Sequence, residues 1–398
     1  MRDENKPPLW TKSFICIWIA NFLLFFSFFL LIPTLPFYLT SFFKVTNSQS
    51  ALVISGYIAC AILMRPFSGF IADSFDRKKI YIISYFAFIV FFAGYIAAAT
   101  LIFFIFIRAF HGFTFGAATT TSNTVVIDIL PFSRQGEGIG YFGLSSTLAM
   151  AIGPVVGLII YDKFPFVMLF YAALISGSLG CIFASSVKVP FKEKKTVKEA
   201  LSFDRFILIR ALPLGVNFLL LGIPYGMMTT YIAMYGKYTG VAGEAGVFFA
   251  VCAAGLVFSR IFAGKQIDKG KITQVITIGS FMSAATFAGL FFVDKIPFFQ
   301  SALYYFSALL IGLSYGMLFP AFNYMFVNMA QHNRRATSNS TYLTSWDIGI
   351  AAGIIIGGKI IDISKISSVY AIGAYVALIS AIYFITISAG YFKRKRLR

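Results

Sequence analysis

Twelve times along this chain an apolar run of about 20 residues or more recurs, the length needed to cross a hydrocarbon core of roughly 30 Å at 1.5 Å per residue. The runs fall near 13–39, 50–72, 79–98, 101–128, 137–161, 165–187, 206–235, 243–266, 273–293, 297–329, 337–361 and 367–391. Of the 398 residues, 59% are hydrophobic and 12% charged, against roughly 45–50% and 25% in a soluble domain. A water-soluble fold could not hide that surface, so each run reads as a membrane helix. The first is too long for a cleavable leader, whose apolar core is about 7–15 residues.

Charge then sets the orientation. The N-terminus, the even-numbered connections and the C-terminus hold about 24 of the 33 Lys and Arg, among them Arg77, Lys78, Lys79, Arg134, Arg334, Arg335 and the terminal "KRKRLR". The opposite side holds about five: Lys44, Lys163, Lys237, Lys295 and Lys365. The positive-inside rule places both termini in the cytoplasm of a multi-pass cell-membrane protein. The net charge of +18 is thereby a topology signal and a contact for anionic lipid headgroups, with no call for nucleic acid. Cys16, Cys60, Cys181 and Cys252 lie scattered inside apolar runs, which suggests neither a disulfide framework nor a metal site. With two histidines and no phosphate-cradling loop, neither an ATP-driven pump nor a metal enzyme has support, and no cofactor is expected.

The longest polar stretch, 188–205, divides six runs from six, giving an N-terminal bundle 1–187, a cytoplasmic linker and a C-terminal bundle 206–398. The halves repeat. An offset of 195 aligns "RPFSGFIAD" with "RIFAGKQID", matching Arg65, Gly69 and Asp73 to Arg260, Gly264 and Asp268. An offset of 200 matches Gly112, Gly116, Asp128, Arg134, Gly153, Gly157 and Asp162 to Gly312, Gly316, Asn328, Arg334, Gly353, Gly357 and Asp362. An ordered set at steady spacing points to a duplicated bundle, the layout of many secondary transporters. The fold class is an all-α membrane protein of 12 transmembrane helices in two pseudo-symmetric six-helix bundles.

"GFIADSFDRKK", residues 69–79, concentrates five charges between two apolar runs. It resembles the loop signature G-x-x-x-D-x-x-G-R-[KR] of the major facilitator superfamily, with Asp76 where that family usually has glycine. "IPTLPFYL" (32–39), "IRAFHGFTFGAA" (107–118) and "AMAIGPVVGL" (149–158) are similar to helix 1, helix 4 and helix 5 motifs of its twelve-helix drug:proton antiporter branch. The resemblance implies that Gly69, Asp73, Arg77 and Asp128 form a cytoplasmic latch for the outward-open state. It further implies that Gly153, Pro154 and Gly157 in helix 5 seal against leak, close packing alone being the other reading of these three.

Nearly all of the 15 acids sit at helix ends or in loops, but Asp347 lies about ten residues, roughly 15 Å, into helix 11. A charge there costs at least about 2.5–3.5 kcal/mol, so it should face a wet cavity or a partner. It is a candidate for proton coupling or substrate binding, with a structural acid held by nearby Ser and Thr as the alternative. Arg108 and, one turn on, His111 are the companion candidates for proton coupling; a neutral His111 satisfied within the bundle is the other reading. Helix 1 offers only Asn21 and hydroxyls at mid-span, not the acid common in that branch. On the family's cavity-lining helices, Asn21, Asn217, Tyr225, Tyr231, Asn323 and Tyr324 are candidate substrate contacts among many phenylalanines.

An aromatic wall with few charges suits an amphiphilic solute better than a sugar phosphate. The leading expectation is a proton-coupled exporter of small organic compounds, an antiporter working by alternating access as a monomer, with protons and membrane lipids as further partners. The alternatives are a proton-coupled importer of a sugar, nucleoside or peptide, and a lipid flippase. No catalytic constellation marks an enzyme.

Overall fold

The computed structural model describes residues 7–131, 134–189, 207–241, 245–330 and 335–397; side chains at a few further helical positions, Gly69 and Asp73 among them, lie outside the described set. Most of the 188–205 linker lies outside it too. Every regular element among the described residues is helical, as hydrocarbon demands of a chain that must pair its own backbone groups.

The first part of the chain holds α1 (Lys12–Phe29), α2 (Leu35–Phe42), α3 (Asn47–Ser74), α4 (Arg77–Ala97), α5 (Leu101–Ile129), α6 (Gln135–Lys163) and α7 (Val167–Ser185). The second holds α8 (Leu212–Thr239), α9 (Ala245–Asp268), α10 (Ile272–Phe292), α11 (Gln300–Met329), α12 (Arg335–Ile363), α13 (Ser367–Tyr383) and α14 (Ala389–Lys395). A π-helical turn, Phe384–Ser388, joins the last two into one span. Among the described residues ten helices are long and apolar enough to cross a membrane. The other two spans are α9 and α12, and the twelve match the apolar runs closely. One run differs: 13–39 breaks between α1 and α2, where Pro33 and Pro36 remove backbone donors and the chain turns.

Contacts gather the chain into two compact units, Met1–Ile32 with Ala59–Lys198 and Pro33–Ile58 with Glu199–Arg398. Residues 33–58 thus pack with the second unit, although the repeat assigns them to the first half. The cause is local, because the first half of α3 lies along α12: the Ser55 hydroxyl donates to the Ala351 carbonyl at 3.2 Å, and Gly358 faces Ala51.

Within each unit the helix pairings correspond. In the first, α1 packs on α6 and α7, and α4 on α5 and α7; in the second, α8 packs on α12 and α13, and α10 on α11 and α13. The glycine seats repeat as well. A Cβ at Gly116 would stand 3.0 Å from the Ala61 Cα, and one at Gly316 would stand 3.0 Å from the Leu256 Cα. Gly116 and Gly316 differ by 200 in number, Ala61 and Leu256 by 195, the two offsets seen in the sequence. These small residues let α5 reach α3 and α11 reach α9 backbone to backbone, which is how helices associate where lipid removes the hydrophobic drive.

Between the seats, tyrosine hydroxyls tie neighbouring helices together. Tyr85 donates to Ala20 O at 2.8 Å, Tyr315 to Leu221 O at 2.9 Å and Tyr235 to Leu290 O at 2.8 Å. Each ring fills apolar volume while its polar end is satisfied.

Valine at Gly316 or at Gly116 should therefore push the paired helices apart and cost about 1–3 kcal/mol. Thermal unfolding of each variant in detergent should show a clear drop in Tm. Gly143→Ala, where an added Cβ meets nothing within 4 Å, should leave Tm unchanged.

Candidate functional site

At the start of α4 the charge cluster resolves into two devices. Asp76 is the N-cap of α4: its Oδ1 accepts from the backbone N–H of Lys78 at 2.9 Å and of Lys79 at 3.1 Å, with φ at −65°. The position has no left-handed backbone to require glycine, and an aspartate there satisfies two otherwise unpaired amides. One residue on, Arg77 Nη1 donates to both carboxylate oxygens of Asp128, at 2.9 and 2.8 Å, joining α4 to the end of α5. Asp128 is almost buried, its side chain 6% exposed, and Arg77 is one-third exposed. A pair so placed is costly to break from one side, because the remaining carboxylate loses its counter-charge. The side chains of Gly69 and Asp73, the other two latch candidates, lie outside the described residues.

Arg108 and His111, one turn apart on α5, meet through a residue absent from the sequence-based candidates. The Tyr95 hydroxyl on α4 lies 2.8 Å from His111 Nδ1, and Arg108 Nη1 donates to the same hydroxyl oxygen at 3.2 Å. All three are buried, and Phe88, Phe91 and Phe92 surround the imidazole. Arg108 has only donors, so the Tyr95 oxygen is the acceptor in that bond. The Tyr95 hydroxyl thus links the two companion candidates across α4 and α5. No sequence signal marked Tyr95, whose part is set by the packing of α4 on α5.

The glycines of helix 5 seat α6 on the end of α1. A Cβ at Gly153 would fall 2.8 Å from the Phe29 Cβ, and Gly157 abuts the Leu30 carbonyl, just before the α1–α2 break. Pro154 lies inside α6.

Of the six candidate cavity residues, three donate hydrogen bonds to neighbouring helices of their own unit. Asn21 Nδ2 donates to Ser145 Oγ on α6 at 2.8 Å, and Asn217 Nδ2 donates to Ser380 O and Oγ on α13 at 2.8 and 2.9 Å. Tyr231 donates to Ile354 O on α12 at 2.7 Å. Asn323 is half-buried and Tyr324 exposed. Tyr225 belongs to a ring cluster across α8, α11 and α12: its centroid lies 5.0 Å from Trp346 and 4.7 Å from Tyr315, while Phe319 and Phe218 lie 4.8 and 4.9 Å from Trp346. Tyr315 and Tyr342 in this cluster donate to backbone carbonyls. Among the described residues, no hydrogen bond engages the Tyr225 hydroxyl or the Trp346 indole N–H. Asp347, half-buried, follows Trp346 on α12. It belongs to the second unit, whereas Arg108 and His111 belong to the first.

A family model described as Major Facilitator Superfamily matches residues 17–351. The chain belongs to the Major Facilitator Superfamily. Members of the Major Facilitator Superfamily are membrane transporters of small molecules, not enzymes, and this chain is a multi-pass transporter of that kind. Its sequence is similar to a staphylopine export protein of Staphylococcus aureus, 25% identical over 345 residues, which cover 82% of this chain and 84% of that protein. It is also similar to the multidrug resistance protein MdtG of Escherichia coli, 23% identical over 397 residues and covering 96% and 95% of the two chains. Its structure is similar to a variant of the nucleoside transporter NupG, with a TM-score of 0.76, 16% identity and coverage of 94% and 99%. That likeness shows the superfamily fold. The efflux relatives support export in coarse terms.

Asp76→Ala should cost about 1 kcal/mol through loss of the cap, Asp76→Gly only a few tenths, read as Tm in detergent. Tyr95→Phe removes an acceptor from Arg108 and a hydrogen-bond partner from His111 and should cost about 1–3 kcal/mol. Tyr324→Phe, at an exposed site, should stay within about 0.5 kcal/mol of the parent.

Proposed function

We propose that the chain is a proton-coupled antiporter that exports small amphiphilic organic compounds by alternating access, with both termini cytoplasmic. The observation that carries this reading is the ring cluster on α8, α11 and α12, in which no hydrogen bond among the described residues engages the Tyr225 hydroxyl or the Trp346 N–H, and which is continued on α12 by the half-buried Asp347. Rings with a few polar hydrogens accommodate flat, weakly polar solutes, and an acid beside them offers a group for which proton and substrate compete. The efflux relatives support the outward direction.

In this reading Asp347 is the coupling acid. Arg108 and His111, with Tyr95, form a polar tie inside the first unit, and Arg77 with Asp128 acts as the cytoplasmic latch, joined by Asp73 and Gly69. Gly153, Pro154 and Gly157 hold α6 on the α1–α2 break and limit leak. The chain works as a monomer among lipids, with two six-helix bundles moving about the central substrate site.

The test is proton movement in proteoliposomes, recorded with a pH-sensitive dye while lipophilic cations, neutral antibiotics, sugars and nucleosides are added in turn. Drug-like compounds alone should release protons from an acidic lumen, and Asp347→Asn should abolish that release while leaving Tm within a few degrees of the parent. Inward proton flow with a sugar or nucleoside would make the chain an importer. Normal coupled movement by Asp347→Asn would remove the role given to Asp347.

A further inference from the structure

The start of α3 is capped from two sources. Thr46 and Gln49 form a reciprocal box: the Gln49 N–H donates to Thr46 Oγ1 at 3.2 Å, and the Thr46 N–H to Gln49 Oε1 at 3.0 Å. That leaves the first two amides of the helix. Both go to a residue more than 300 positions away: the Asn47 N–H donates to Asp362 Oδ1 at 3.0 Å and the Ser48 N–H to Asp362 Oδ2 at 2.8 Å. Asn47 Nδ2 adds a third bond to Oδ1, also at 3.0 Å. A carboxylate is thus held by a helix N-terminus, where aligned peptide dipoles favour negative charge.

Two further observations show what this contact restrains. Residues 33–58 pack with the second unit, yet α3 runs on as one helix past residue 58 into the first. The contact surface with α12 is also a seam: Asp362 bonds Asn47 and Ser48, Gly358 faces Ala51 and the Asn47 carbonyl, and Ala351 accepts from Ser55. Any rocking that carries α3 with the first unit must open this seam from its Asp362 end. The opening is reversible in principle, because Asp362 is exposed and both it and the two released amides can pass to water.

We infer that Asp362 is a latch residue: by capping α3 it holds the outer ends of α3 and α12 together in the outward-closed state and must release them for the outer side to open. This rests on the alternating-access reading and its orientation. It also gives the outer face a counterpart to the Arg77–Asp128 pair at the opposite end of the helices, built from a carboxylate and backbone amides in place of an ion pair.

The latch is not a proton switch near neutral pH. Burial raises the Asp362 pKa, but the bonds from Ser48 and Asn47 outweigh that and hold it below the ordinary carboxylate value. With the folded value depressed, the contact's contribution is fully present above the ordinary carboxylate pKa and is lost only as pH falls through the depressed one. The first turn of α3, Asn47 to Ser50, brings no titratable group to it; Lys359 and Lys365 stand exposed on the Asp362 side, and Lys44 precedes α3.

The experiment uses the full chain in lipid nanodiscs, with the native cysteines replaced and spin labels at two exposed sites on either side of the seam, Leu52→Cys on α3 and Ile363→Cys on α12. Electron–electron distance measurements give the ratio of the long to the short population. Asp362→Ala should raise that ratio about two- to fivefold, the range that a charge at a helix terminus supports. Asn47→Ala, which removes one side-chain donor and keeps both amides, should raise it less. If Asp362→Ala does not purify as a folded protein, Asp362→Asn takes its place. A second distance in the parent that none of these variants shifts would overturn the latch while leaving alternating access standing. One unchanging distance in every protein, together with absent transport, would overturn both.

Discussion

Close backbone approach is the constraint on which this structure depends. In hydrocarbon, one apolar helix gains nothing by exchanging lipid for another, so association rests on contact at short range and on hydrogen bonds between helices. Gly116 on Ala61, Gly316 on Leu256, and Gly153 with Gly157 on Phe29 and Leu30 supply the contact. Tyr85, Tyr231, Tyr235 and Tyr315 supply the bonds, each hydroxyl reaching a carbonyl on a neighbouring helix. Because the same seats recur in both halves, each unit reaches the same pairing of helices by the same means.

Polar groups then divide by how they are satisfied. Asn21, Asn217 and Tyr231 donate inside their own unit, and the Tyr95 hydroxyl lies between Arg108 and His111 in the same way. These bonds tie helices together within a unit. Others sit where helices end: Arg77 with Asp128 at one face, Asp362 with the start of α3 at the other. Asp362 is exposed and can pass to water when its bonds open, whereas the almost buried Asp128 loses its counter-charge if Arg77 leaves. The ring cluster of Tyr225 and Trp346 is a third kind, holding a hydroxyl and an indole N–H that no hydrogen bond engages among the described residues.

The membrane class, the twelve spans, the repeat and the family were legible in the sequence alone, because each follows from properties that do not depend on partners. A run of apolar residues has one stable conformation in lipid, charge asymmetry is a sum over loops, and duplicated glycines are seen by counting. Even the aspartate at position 76 could be read as a turn residue, although its work as the cap of α4 was not. What each polar side chain does was decided by tertiary structure. Asn217 and Tyr225 lie on one helix and look alike as cavity candidates, yet the first faces α13 and the second joins the rings. Tyr95 and Asp362 carried no local signal, since their partners stand on other helices, in one case more than 300 residues away. Helical periodicity tells which residues share a face; which neighbour covers that face is settled only when the glycine seats bring two backbones together.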